Sequence, residues 1–158
     1  MSHSSERIAI IGLGNTMRRD DGIGIRLLER LRDRTHDAAA RFLDFGSASF
    51  GLVTYLKEFD KVLLLDGVDA GLAAGTLRIF QLKDVQTVVK EEKISSHEIA
   101  LADLLRLCES IPGAGHIHIA GVQVKDVSYG LELTPELASA QDKIVEEIAR
   151  FLSSWGIR

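Results

Sequence analysis

Two short apolar runs constrain this chain more than any other feature. Ile8-Ala9-Ile10-Ile11 stops at Gly12-Leu13-Gly14-Asn15, and Val62-Leu63-Leu64-Leu65 stops at Asp66-Gly67. A strand with one wet face alternates apolar and polar residues, whereas a strand covered on both faces does not. Both runs therefore read as buried strands of a sheet with layers on either side. Between them Ile23, Leu27, Leu28 and Leu31 recur at helical spacing among Arg26, Glu29, Arg30 and Arg32, which predicts an amphipathic helix over 22–34. Further strands are expected over 40–45 and 116–122, with an edge strand over 76–82 and a helix over 50–58. Ser96 can cap a helix carrying Ile99, Leu101, Leu104, Leu105 and Leu107. Thr134-Pro135-Glu136 opens a last helix reaching about residue 153, with Pro135 at the first turn, where its missing N–H costs little. Strands alternating with helices predict an α/β three-layer sandwich, a twisted, mostly parallel sheet flanked by helices on both faces.

All 158 residues are expected to form one domain, with residues 1–6 a flexible polar tail. A chain of this length buries enough surface to fold without disulfides. The single Cys108 excludes an internal disulfide framework and any multi-cysteine metal site; among Leu104, Leu105 and Leu107 it reads as a core thiol. A net charge of -4 gives no basic footprint for nucleic acid, leaving Arg18-Arg19 as the one local basic pair singled out. No apolar run is long enough to span a bilayer and no secretory signal is visible, so a cytoplasmic protein without membrane insertion is expected.

In folds of this class ligands sit beyond the carboxyl ends of the strands. That rule directs attention to the exits after Ile11, Leu43 and Leu65. Gly12-x-Gly14 invites a nucleotide-binding reading, but Met17 occupies the place of the third glycine, and Asp20-Asp21 would repel a pyrophosphate. Neighbouring residues at a helix entrance diverge by roughly 100°. Either one of the two carboxylates caps the helix or binds local N–H groups while the other points into the cleft, or both are simply favourable charges at a helix start. Asp66 ends a buried run, where a carboxylate needs a partner or a metal, with Asp69 a second candidate from the same loop. His97 opens a predicted helix and can bind a metal or act as a base. His116 and His118 fall at the start of a strand and read as structural; His3 and His36 lie in polar segments. Two carboxylates and an imidazole suit a divalent ion, nickel and zinc included, although nothing in their spacing joins them.

The whole series resembles the hydrogenase maturation proteases, peptidase family M52. It runs through Gly12-Leu13-Gly14-Asn15, Asp20-Asp21-Gly22-Ile23-Gly24, Asp44-Phe45-Gly46-Ser47 and Leu65-Asp66-Gly67-Val68-Asp69-Ala70-Gly71. It continues in Lys93-Ile94-Ser95-Ser96-His97-Glu98, Gly121-Val122-Gln123 and Leu133-Thr134-Pro135. The resemblance implies a metal-contacting trio of Asp21, Asp66 and His97, with Asp44 orienting substrate or accepting a proton. It implies an aspartic-type or metal-dependent endopeptidase acting on a [NiFe]-hydrogenase large-subunit precursor that already carries nickel. The metal would arrive with the substrate, other divalent ions replacing it in vitro, and the enzyme would be a monomer or weak homo-oligomer. Two departures fall near the implied cleft: Gly46-Ser47-Ala48-Ser49 lacks the second glycine of many relatives, and Val124 stands where many have proline. Two rivals belong to other classes: a non-catalytic, metal-sensing chaperone for the same client, and a nucleotide-binding module built on Gly12 and Gly14.

Overall fold

The computed structural model describes residues 6–46, 50–84 and 116–158. Its described strands are β1 (Ile8–Leu13), β2 (Ala40–Gly46), β3 (Lys61–Val68), β4 (Leu77–Gln81) and β5 (Ile117–Gln123). Its described α-helices are α1 (Ile23–Arg34), α2 (Phe50–Leu56) and α3 (Pro135–Ser153), with a 3-10 turn over Arg19–Gly22 leading into α1. The five described strands form one sheet in the order β2-β1-β3-β5-β4. The pairs β1–β2, β1–β3 and β3–β5 are parallel, while β4 runs antiparallel to β5 at the edge.

Strict alternation of side chains across the sheet explains the unbroken apolar runs. Ile8, Ile10, Leu63 and Leu65 face one core with Leu27, Leu28 and Leu31 of α1 and Ile144, Ile148 and Leu152 of α3. Ala9, Ile11, Val62 and Leu64 face a second core with Leu52 and Leu56 of α2. Each leucine or isoleucine so buried contributes about 1.5–3 kcal/mol relative to exposure. The layered sheet expected from the sequence is what these two cores enclose.

Several boundaries differ from the sequence-based expectation. β3 does not stop at Asp66-Gly67 but continues to Val68, because Gly121, Val122 and Gln123 of β5 pair with its last three residues. Asp-Gly turn chemistry yields here to a neighbouring strand that has backbone groups to satisfy. α2 ends at Leu56, two residues early, and His116 precedes β5 instead of lying in it. The helix expected after Ser96, with His97 and Cys108, lies outside the described residues, as does His3. No helix among the described residues is long and apolar enough to cross a membrane.

Candidate active site

The carboxyl ends of β1 and β3 meet the entrance of α1 at unusually close range, and glycines make that possible. A β-carbon on Gly24 would fall 2.3 Å from the carbonyl oxygens of both Leu13 and Leu65, so the first turn of α1 lies directly on the two strand ends. Gly14 has φ +124, and a β-carbon there would come within 1.9 Å of the Asp21 carbonyl oxygen. Only glycine serves at such a position. The space a phosphate would need beside Gly14 is thus held by a carbonyl oxygen, which repels anions. The Gly12-x-Gly14 signal reflects helix–strand packing and not a nucleotide cradle.

This packing lays the 3-10 turn across the strand ends, and its two carboxylates divide the work. Asp20 is fully buried. Its Oδ2 accepts the N–H groups of Lys125 (2.9 Å) and Asp126 (3.1 Å), and its Oδ1 accepts that of Thr134 (2.8 Å). The Thr134 hydroxyl lies 3.0 and 2.9 Å from the same two oxygens and donates to the pair. Asp20 therefore latches the segment between β5 and α3 to the start of α1. Asp21 is only half-buried; its Oδ2 accepts the Asn15 N–H at 3.0 Å. The two adjacent carboxylates differ in burial, yet both accept N–H groups: Asp21 a local one, from Asn15, and Asp20 ones distant in sequence.

Arg19, just before the pair, has φ +44, a left-handed conformation costing a non-glycine residue about 1–2 kcal/mol. Hydrogen bonds on either side hold it there: Arg19 N–H donates to the Gly130 carbonyl and Asp20 N–H to that of Asp126. The Asp126 carboxyl lies below the usual carboxylate range, first because Ser128 donates to it and also because the Arg19 guanidinium stands 3.8 Å away.

Asp66 sits near the end of β3 and is only 8% exposed. Alternation puts it on the face of Val62 and Leu64, while a β-carbon on its neighbour Gly67 would lie 3.3 Å from the Asp20 carbonyl oxygen. The structure thus brings the backbones carrying Asp21 and Asp66 to the same sheet edge, from adjacent strand ends. Asp44 does not join them as closely, since β1 stands between β2 and β3. It is exposed, its Oδ1 accepts the Gly46 N–H at 2.9 Å, and Gly12 is its partner on β1. Among the described residues no three His, Cys, Asp or Glu side chains gather as a metal site. The third member of the expected trio, His97, lies outside the described residues. Carboxylate oxygens are suitable donors for zinc and similar divalent ions.

Gln123, named in the sequence only as part of a motif, proves to organise the loop that follows Asp66. Its Oε1 accepts the Ala70 and Leu72 N–H groups (2.7 and 3.3 Å). Its Nε2 donates to the Asp69 carboxylate (3.1 Å) and the Val124 carbonyl (2.9 Å). A glutamine ending an otherwise apolar run was the available signal, the same signal that Asp66 gives. Asp69 thus serves in this clamp. The histidines of the β5 region have structural contacts: His116 Nε2 hydrogen-bonds the Leu56 carbonyl at 3.4 Å, and the His118 ring meets Phe151 and Trp155 at steep angles, with centroids 5.3 Å apart.

Known proteins share this arrangement. The family model for hydrogenase maturation protease (HycI) matches residues 25–151. The hydrogenase expression/formation protein HupD of Rhodobacter capsulatus is 33% identical over 161 residues, covering 96% of this chain and 74% of that protein. The hydrogenase 2 maturation protease of Escherichia coli is 28% identical, covering 96% of this chain and 93% of its own length. The solved structure of the hydrogenase maturating endopeptidase HybD from E. coli superposes with a TM-score of 0.81 at 27% identity, over 96% of this chain and 95% of that one. With the family model matching most of the chain and a relative 33% identical over 96% of it, this chain belongs to the hydrogenase maturation protease family.

Proposed function

We propose that this chain is the endopeptidase that removes the C-terminal extension of a [NiFe]-hydrogenase large-subunit precursor, reading the nickel already held by that substrate. The observation that supports the proposal is that the backbone segments carrying Asp21 and buried Asp66 meet at the carboxyl end of the sheet, in a chain of this family. In the proposal Asp21, Asp66 and His97 contact the substrate's nickel and fix the adjacent peptide bond beside it. Positioning of this kind supplies much of the rate advantage of a hydrolase. The substrate metal supplies the electrophile, polarising the scissile carbonyl or acidifying a water. Asp44, exposed at the end of β2, orients the incoming chain or accepts the proton released by water. Other divalent ions would replace nickel in vitro.

The test is processing of a nickel-loaded precursor, read by intact mass, for the wild type and for Asp21→Asn, Asp66→Asn, His97→Gln and Asp44→Asn. Loss of the C-terminal peptide is expected with the wild type. Asp21→Asn and His97→Gln should process at least about a hundredfold more slowly, the size of effect typical when a polar group acting on the reacting centre is removed. Undiminished processing by these two folded variants would remove the trio from the mechanism.

A further inference from the structure

Three of the five large apolar side chains that stand exposed among the described residues cluster in two loops beside Asp21. Met17 is 62% exposed, Tyr129 83% and Leu131 70%. The two loops are paired through their backbones: Gly130 N–H donates to the Met17 carbonyl (2.9 Å), and Arg19 N–H to the Gly130 carbonyl (3.0 Å). Arginines fix them further. Arg18 Nε donates to the Val127 carbonyl at 3.1 Å while its guanidinium lies 5.9 Å over the Tyr129 ring, and Arg26 donates to the Leu131 carbonyl. Among the described residues neither Arg18 nor Arg26 is in an ion pair, while the loop carrying Tyr129 and Leu131 also bears the exposed carboxylates Asp126 and Glu132, so the patch is apolar with a rim of mixed charge.

A hydrogen-bonded platform needs little further backbone ordering on contact, and exposed apolar clusters of this sort mark interaction sites. This one is built into the candidate active site. Met17 lies four residues before Asp21, which limits their separation to roughly 14 Å. The 125–134 segment that carries Tyr129 and Leu131 is the segment latched by Asp20.

We infer that Met17, Tyr129 and Leu131 form the docking surface for the precursor, receiving an apolar segment of it. The inference rests on the proposed function and names where its substrate binds. Continuity decides the occupant: a polypeptide presenting its scissile bond at Asp21 must pass over a surface one short loop away. A second copy of this chain seated there would obstruct that approach.

The experiment measures the Kd of nickel-loaded precursor for the wild type, for Met17→Ser and for the double variant Tyr129→Ser with Leu131→Ser. Processing kinetics, thermal midpoint and sedimentation are followed on the same samples. Loss of exposed apolar anchors should weaken binding and raise KM about tenfold or more, with kcat within about twofold. The thermal midpoint should not move, because the replaced side chains are exposed. Unchanged Kd and KM would overturn the inference, as would a loss confined to kcat. A wild-type dimer that the substitutions dissociate, with Kd for precursor unchanged, would assign the patch to self-association and overturn it likewise. Wild-type binding without cleavage would sink the proposed activity while leaving the docking surface to be judged by Kd. Neither binding nor cleavage by the wild type would overturn both.

Discussion

Replacing Asp20 and Asp21 separately by alanine should produce opposite defects, although the two are adjacent. Three backbone N–H groups and one hydroxyl converge on Asp20. Hydrogen bonds to a charged group contribute about 1.5–3 kcal/mol each, which would sum to roughly 6–12 kcal/mol if all were lost outright. The true loss is smaller, because Lys125 and Asp126 are exposed residues whose amides regain water once the carboxylate is gone. Thr134 is buried, and its N–H and hydroxyl stay dry and unmatched. Two such groups, at about 1–3 kcal/mol each, place the cost of Asp20→Ala at about 2–6 kcal/mol, a large part of the about 5–15 kcal/mol that holds an ordinary domain together. For a chain of this length each kcal/mol moves the midpoint by about 2–4 °C, so a fall of about 4–24 °C is expected. Asp21→Ala gives up one bond, from the half-buried Asn15 N–H, worth about 1 kcal/mol or less. Circular-dichroism melting of both variants, alongside the precursor-processing assay, reads both defects. Asp20→Ala should melt early yet retain activity at low temperature, whereas Asp21→Ala should melt near the wild type and fail to process. An Asp20→Ala midpoint within about 2 °C of the wild type, or a larger drop for Asp21→Ala, would refute the latch.

Two further outcomes follow from packing and titration. Gly24→Ala cannot be accommodated, because its β-carbon would meet two backbone carbonyls at 2.3 Å; it should yield little folded protein, measured as soluble fraction and melting midpoint. Burial against Phe151 and Trp155 pushes the His118 imidazole below its ordinary value of 6.5. The unfolded chain then binds that proton first, so stability is full above about pH 6.5 and falls as pH drops toward the lower folded-state value. His118→Phe should remove this part of the decline, read as urea midpoints at about pH 8 and about pH 5; an unchanged decline would refute it.

The sheet was legible because burial on both faces leaves a mark at every residue of β1 and β3, and the amphipathic spacing of α1 and α3 is equally local. The end of β3 was not, because whether Asp66-Gly67 turns or continues depends on Gly121 and Val122 lying alongside. Asp66 and Asp21 stood out as polar residues at the mouths of apolar segments. What divides Asp20 from Asp21 could not be read, since the groups that occupy Asp20 lie 105 to 114 residues away. Gln123 reaches Asp69 across 54 residues, and the pairing of Arg18 with Gly130 is as remote. Sequence order conveys which residues are unusual; it does not convey which of them face one another. Only the resemblance to the protease family, carried by the order of many modest motifs, linked Asp21, Asp66 and His97 as one group.

The most direct test of the central claim compares nickel-loaded and nickel-free precursor of the same large subunit, each incubated with the purified wild-type chain and followed by intact mass. Reading of the substrate's metal by Asp21, Asp66 and His97 requires loss of the C-terminal peptide from the nickel-loaded form alone. Equal cleavage of both forms would contradict it, leaving a peptidase indifferent to nickel, and cleavage of neither would contradict the endopeptidase assignment itself.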